Sequence, residues 1–395
     1  MSPGFARDAF TRAGYAGLAG WGWFIYGFGT MLPLLRDEQH VSRTVVSLHS
    51  IALAAGSMVS GALAVPLVRR IGRRGGLVGG TALLSAGSLL LVSAPGPWLS
   101  LPAALLCGIG GSVMINTINP GLTQHHGSAG AAVMSEGSAV AAATGLVAPL
   151  LIGLTVAAGL TWRPAIALVV AFAAATILLV RQVPVGLPAL DDRPEPEPAG
   201  RSRLPVAFWP LLLILVLCAG VEFAFTSWSP DLLRQRAGMA AGPASIGVTA
   251  IVSGMLAGRL LIGRLASSRS PSGLLMAALG LTGLGWLVTW TATGPVQAMA
   301  GLALVGLGIG GHYPLAATLA LAAVGTRRDQ ASGVISIGIG ISAGGAPFAL
   351  AALADRSSTH AAFLVVPAML AAATALLAWA RRSRVSGHSP ATAAG

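Results

Sequence analysis

Val65-Pro66-Leu67-Val68-Arg69-Arg70-Ile71-Gly72-Arg73-Arg74 is the stretch from which the fold can be read. Arg69, Arg70, Arg73 and Arg74 crowd into one short turn between two long apolar runs. An unpaired guanidinium in a bilayer core costs about 3 kcal/mol even on the lenient insertion scale. The turn therefore lies in water, and the runs on either side cross a membrane. Arg-rich short loops stay on the cytoplasmic side. That orients the second and third crossings and, by alternation, all the others.

Composition agrees. Of 395 residues, 54% are hydrophobic and only 9% charged, with a mean hydropathy of +0.78. A soluble domain carries about 25% charged residues, so this chain is an integral membrane protein. Apolar runs of helical rather than strand length recur, which selects helices over a barrel. The net charge of +12 would point to nucleic acid in a soluble protein. Here the basic residues, all arginine, cluster in short loops as topology signals, and no nucleic-acid partner is expected. An all-Arg, Ala/Gly-rich chain is associated with bacterial genomes of high GC content. Cys107 and Cys218 fall inside apolar runs and read as free thiols, with no disulfide or metal spacing.

Twelve spans are expected, at 13–35, 44–68, 75–93, 99–122, 133–159 and 163–181, then 207–229, 243–264, 273–292, 296–322, 332–354 and 361–380. On this layout 17 arginines fall on the cytoplasmic side and 6 outside, with Arg259 within a span, which accounts for all 24. Both termini are thus expected in the cytoplasm. The run from Gly14 to Leu35 is too long for a signal-peptide core and reads as the first retained helix. Residues 183–205 include Asp191-Asp192-Arg193-Pro194-Glu195-Pro196-Glu197-Pro198, a polar, Pro-rich linker that cannot form a core. It divides the chain into residues 1–182 and 206–395, each with six helices.

The halves repeat each other. Gly108-Ile109-Gly110-Gly111 returns as Gly308-Ile309-Gly310-Gly311, Ser50-Ile51 as Ser245-Ile246, and Ala148-Pro149 as Ala346-Pro347. The 65–74 turn resembles the loop between helices 2 and 3 of the major facilitator superfamily, roughly G-x-L-A-D-R-x-G-R-R. Leu67, Arg70, Gly72, Arg73 and Arg74 match, while Arg69 stands where the family has Asp. Gly263-Arg264-Leu265-Ala266 is similar to the second copy of that loop. Gly145, Ala148-Pro149 and Gly153 resemble the helix 5 signature of exporters, and Thr161-Trp162-Arg163 the opening of helix 6. Ala104 occupies the place of an arginine common in helix 4 of exporters. The resemblance implies two six-helix bundles around a central cavity and transport by rocking of the bundles. It makes Arg69, Arg70, Gly72, Arg73 and Arg74 a gating loop. Glu136 is a candidate for the acid that the loop itself lacks.

The residues within spans carry their own chemistry. Glu222 and Glu136 are intramembrane acids and candidate proton-coupling sites. Glu222 shares a helix face with Cys218, Phe225, Thr226 and Ser229. Tyr26, Trp23, Asn116, Asn119, Arg259, His312 and Tyr313 are candidate cavity residues; for each, helix packing or interfacial anchoring explains the residue equally simply. Gly306-Leu307-Gly308-Ile309-Gly310-Gly311 satisfies a dinucleotide pattern but follows no strand. Gly340-Ile341-Ser342-Ala343-Gly344 satisfies a serine-hydrolase pattern, leaving an intramembrane hydrolase as the remote enzyme alternative. No phosphate-binding loop is present. The expectation is a monomeric, multi-pass transporter of a small organic molecule in the bacterial cytoplasmic membrane, neither an enzyme nor a carrier of cofactor or metal. Proton-coupled efflux is preferred, and proton-coupled uptake is the alternative.

Overall fold

The computed structural model of the chain describes residues 7–185, 203–266, 268–325 and 327–386, without the side chains of 62–65, 69, 131, 328, 329 and 383–386. Among the described residues twelve helices are long and apolar enough to span a membrane. They are α1 (Ala9–Gln39), α2 (Arg43–Gly61), α3 (Arg70–Ser93), α4 (Pro97–Ala129), α5 (Ala132–Ala157) and α6 (Arg163–Arg181). The second six are α7 (Phe208–Arg236), α8 (Ala241–Leu265), α9 (Pro271–Trp290), α10 (Pro295–Ala322), α11 (Gln330–Arg356) and α12 (Thr359–Arg382). Most of the 183–205 linker, and the Asp/Glu/Pro run within it, lies outside the described residues.

Local chemistry sets the helix ends. The Asp8 side chain accepts the Thr11 amide at the start of α1, Ser42 does the same for Val45 at α2, and Ser270 does so ahead of Pro271 at α9. Helices α1, α4 and α7 run longer than the hydropathy boundaries, because polar residues at their ends extend past the apolar core. The α2–α3 junction is not an open turn. Helical backbone continues through it and breaks at Gly72, whose φ of 74° and ψ of 166° favour a residue without a Cβ.

Close helix packing relies on small residues, since lipid supplies no hydrophobic drive between helices. It also gives the true register of the repeat. Gly108 abuts the Leu53 carbonyl as Gly306 abuts that of Ile251, and Gly56 meets Leu105 as Gly254 meets Ala303. Gly110 faces Gly80 and Leu84 as Gly308 faces Ala278 and Thr282. In each case the partners are displaced by the same interval, 306 − 108 = 251 − 53 = 198 residues. Pro149 and Pro347 share that interval. The Gly-Ile-Gly-Gly tetrapeptides are 200 apart and Ser50 and Ser245 are 195 apart, so neither landmark marks structurally equivalent positions. Residues 108 and 308 face different neighbours.

Two seams join the halves, α5 against α8 and α2 against α11. One face of α8 runs through Gly242, Ile246, Thr249, Ser253, Leu256, Leu260 and Gly263, at alternating intervals of four and three residues. Gly242 and Ile246 pack on Gly153 and Ala157, and the Thr249 hydroxyl donates to the Leu146 carbonyl at 3.3 Å. The remaining four positions are exposed, and nothing approaches Gly263. On α5 the continuation through Ala143, Ala139, Ser135 and Ala132 is exposed likewise. Along α2 and α11, Gly344 packs on Ser50, Ile51 and Ala54, and Gly340 on Met58. Two turns further, nothing approaches Gly333. Both seams are therefore closed at the face bearing the α1–α2 connection and splayed at the face bearing the start of α1. These are called the closed face and the open face below.

Candidate functional site

The closed face is held by an ionic cluster. Asp231 of α7, 4% exposed, accepts Arg36 at 2.9 Å, Arg43 at 2.9 Å and Thr359 at 2.6 Å. Asp37 accepts Arg36 and Arg234, and Asp355 accepts the amides of Arg43 and Thr44. Beneath this cluster the Pro347 carbonyl receives the Trp228 indole at 3.0 Å and the Ser47 hydroxyl at 3.4 Å. Helices of both halves thus converge on Asp231, Asp355 and Pro347.

Directly inside lies a cavity of about 170 Å³ between α1, α2, α7 and α11. Its polar groups are Tyr26, Ser50, Glu222, Thr226 and Ser227. Its apolar wall includes Ile25, Phe28, Leu53 and Phe223. Glu222 lies 14 residues into α7 from Phe208, about 21 Å at 1.5 Å per residue. Tyr26, from the first half, and Glu222, from the second, line it together, and Arg259 of α8 lies near enough to act on both through its charge. Arg259 is exposed. Tyr26 reaches this position because Gly145 of α5 leaves room for its ring. At the contact-derived register Arg259 stands where the first half has Gly61, 259 − 198, so the cation belongs to the second half alone.

The other described acids are engaged elsewhere. Glu136 accepts Arg7 at 2.9 Å and Tyr15 at 2.7 Å near the open face, so its partners are on α1 and just before it, not on the 69–74 stretch. Asp8 is paired with His125 at 2.7 Å and bonded by Thr11. Burial works against the charged form of Asp8, but the Thr11 and His125 hydrogen bonds outweigh it and hold the carboxyl below its ordinary range. Glu38 accepts Trp162 and Arg163.

The remaining cavity candidates are dispersed. Trp23 donates to the Ala165 carbonyl at 2.8 Å and packs on Phe172, inside the first half and away from the cavity. His312, 1% exposed, contacts the Thr282 hydroxyl at 3.1 Å, within the second half. Asn116 is exposed and donates to Ser112, whose hydroxyl bonds the Ser57 carbonyl of α2. Asn119, a turn closer to the open face, has a buried side-chain oxygen without a hydrogen-bond partner. Tyr313, 47% exposed, lies a turn beyond Gly310, which abuts the Arg259 backbone. In the 69–74 stretch Arg73 donates to the Gln124 side chain, and Arg74 to the Val180 carbonyl at 2.9 Å and the Pro184 carbonyl at 3.0 Å. Arg70 is exposed, and the Arg69 side chain lies outside the described residues. The cluster of Asp231 with Arg36 and Arg43 was not read from the sequence. The signal available was an aspartate at the end of an apolar span facing two arginines in short loops.

The hydrolase pattern has a packing explanation. The Ser342 hydroxyl donates to the Val216 carbonyl at 2.6 Å, and Gly340 and Gly344 accommodate α2.

A family model described as the Major Facilitator Superfamily matches residues 14–275. A bacterial homologue of the human lysosomal transporter Spinster, solved inward-facing and occupied, superposes with a TM-score of 0.72 at 13% identity, covering 96% of this chain and 98% of that one. The nucleoside transporter NupG gives a TM-score of 0.73 at 12% identity, covering 94% and 98%. FucP, a transporter of the same superfamily in the outward conformation, gives 0.61 at 18% identity, covering 93% and 99%. At these identities the likeness is one of fold. No curated protein sequence matches.

Proposed function

Since the chain belongs to the major facilitator superfamily, and is a transporter rather than an enzyme, we propose that it moves a small organic molecule by proton-coupled alternating access through the cavity lined by Tyr26 and Glu222. The observation that carries this reading is the cavity itself. Tyr26 and Ser50 of the first half and Glu222 of the second line it together, at the inner end of a seam that is open on one face only. Rocking the halves necessarily alters that lining. Residues 1–182 and 206–395 are the two moving bodies, and 183–205 links them.

Glu222 is the coupling acid in this proposal. Every other acid whose side chain is described has partners away from the cavity, whereas Glu222 lines it. A carboxylate in an apolar enclosure persists as an anion only when paired, and otherwise takes up a proton. Exposure to water on one face, then the other, lets the proton cross with the conformational change. The splayed face is the cytoplasmic one by the arginine bias, which makes this conformation inward-facing.

The helix 5 resemblance points to efflux. Yet Gly145 makes room for Tyr26 and Gly153 packs against α8, roles that a transporter of either direction needs. Ala104, where exporters carry a helix 4 arginine, favours a second reading, proton-coupled uptake, in which proton and substrate travel together. The test is flux in proteoliposomes against a compound panel, with the proton gradient imposed either way. Glu222→Gln is expected to preserve exchange of substrate and abolish accumulation against a gradient. Accumulation at the native level in that variant would sink the assignment.

A further inference from the structure

We propose that Asp8, His125 and His126 form a binding site for a divalent transition-metal ion of the zinc type, which fastens the start of α1 to the end of α4 at the open face. The site is separate from the transport cavity and does not depend on the transport reading.

Spacing along the chain conceals it. Asp8 lies 117 residues from His125, and two adjacent histidines match no ligand spacing of a zinc motif. The fold supplies the convergence. Asp8 caps the start of α1, and its Oδ1 accepts both the amide and the hydroxyl of Thr11 at 2.8 Å. One carboxylate oxygen is thereby committed to the helix end, and the other, Oδ2, meets Nε2 of His125 at 2.7 Å. Nε2 of His126 meets the Thr11 hydroxyl at 2.7 Å, so it too points at the start of α1. Successive residues of a helix point about 100° apart, so adjacent imidazoles reach one spot only where another element crosses them. Here the α-helical run of α4 ends at His126, Gly127 turns the chain away at φ 50°, and the start of α1 crosses that end. The two rings stand edge to face with centroids 4.7 Å apart, and Phe10 packs across His125 at 5.3 Å.

The donor set selects the ion. One ligand atom from each of the three residues lies within 4.8 Å of the others. In a tetrahedral zinc site, with bonds of about 2.0–2.1 Å, ligand atoms stand roughly 3.3 Å apart. Small side-chain rotations open the 2.7 Å contact to that separation. The Asp8 side chain is 41% exposed and that of His125 19%, which gives an ion its route from water. A neutral imidazole that carries its hydrogen on Nδ1 offers the Nε2 lone pair to a metal. Two imidazoles and a carboxylate suit Zn(II) and its late first-row neighbours, whereas Mg(II) and Ca(II) take oxygen donors. Three protein ligands leave the fourth place to water. The arginines close by in sequence have partners of their own: Arg7 bonds Glu136, Arg73 bonds Gln124, and Arg12 reaches the Asp8 carbonyl rather than its carboxylate. An ion at this point joins the first turn of α1 to the stretch of α4 whose Gln124 receives Arg73, within the first half and without bridging the seams.

The test uses the full chain, purified without a histidine tag and stripped with a chelator. Zn(II) binding is read by calorimetry, and coordination by the visible absorption of Co(II) in its place. The native chain is expected to bind close to one Zn(II), to melt at a higher temperature when loaded, and to give with Co(II) the intense absorption of a four-coordinate site. Asp8→Asn keeps the helix start, because asparagine caps as well as aspartate. It is expected to lose at least the roughly tenfold in Zn(II) affinity that removing even an outer hydrogen-bond partner costs. His126→Gln is expected to lose as much. His40→Asn, at an exposed residue of the closed face, is expected to lose none. A melting temperature near native without metal shows that each variant is folded. No saturable binding to the native chain, or native affinity in folded Asp8→Asn and His126→Gln, overturns the site. An equal loss in His40→Asn overturns it too, because binding would then be spread over surface histidines.

Discussion

The Arg36 guanidinium of the first half donates to the Asp231 carboxylate of the second at 2.9 Å, and Asp231 is 4% exposed. Arg43 and Thr359 complete the carboxylate's coordination. Removing one partner of a buried pair costs more than the pair contributes, because the remaining charge is left unsatisfied. Asp231→Asn strands two arginines in the closed arrangement and relieves them when the halves rock apart. A thiol reagent applied from the closed face is expected to modify Ser50→Cys about tenfold faster or more in the Asp231→Asn background, a factor that corresponds to about 1.4 kcal/mol. An unchanged rate would show that the ionic cluster does not set the conformational balance.

The closed part of the α5–α8 seam depends on backbone approach. A Cβ on Gly242 would meet the Gly153 carbonyl at 2.7 Å and the Ala157 amide at 2.8 Å. Gly242→Val is expected to hold that face apart and lower the melting temperature of this conformation, while Gly263→Val, with open space around it, leaves it near native. Thermal unfolding of the purified variants reads both. Equal effects of the two substitutions would contradict a seam that closes at Gly242.

The two intramembrane acids are expected to behave differently. Glu136 is paired with Arg7 and Tyr15 near the open face and is partly exposed, where an ion pair contributes little. Glu136→Gln is expected to retain proton-driven accumulation and to change the melting temperature slightly. Loss of accumulation in Glu136→Gln, with accumulation intact in Glu222→Gln, would reverse the assignment of the coupling acid.

The α2–α3 junction carries two separable predictions. Gly72 adopts φ 74°, a region that costs other residues roughly 1–3 kcal/mol. Gly72→Ala is expected to lower the melting temperature. Arg73 donates to Gln124 at the end of α4. Arg73→Ala is expected to slow transport while the protein stays inserted and abundant, which flux normalised to protein content reports. Native flux in Arg73→Ala would remove the gating role expected of this loop.

Orientation can be tested directly. Val185 is 93% exposed at the start of the linker, and Gly238 lies in the α7–α8 connection at the closed face. With the linker in the cytoplasm, an impermeant thiol reagent on intact cells should label Gly238→Cys and spare Val185→Cys. The opposite pattern would invert the topology.

Much of this molecule was legible in one dimension. Burying a helix in lipid requires about 20 apolar residues, and keeping arginines in water fixes where the chain turns. The 65–74 stretch, the Pro-rich linker and the recurring spans therefore determined a helical membrane protein with its chain order and expected sidedness. Hydropathy is a local property and survives without knowledge of neighbours. Side-chain partnership does not. Glu136 and Glu222 are both carboxylates in apolar runs, and only the turning of α1 toward α5 and of α7 toward the interior gave the first to Arg7 and Tyr15 and set the second in a cavity with Tyr26. The repeat was visible as matching short words, but its 198-residue register came from which backbones touch. Trp23 and His312 read as plausibly as Tyr26 did, and helix rotation set them inside their own halves. In lipid the hydrophobic effect does not choose which helix face meets which, so close packing of small residues and a few polar contacts make that choice. Those contacts join residues far apart in the chain, and only the folded molecule brings them together.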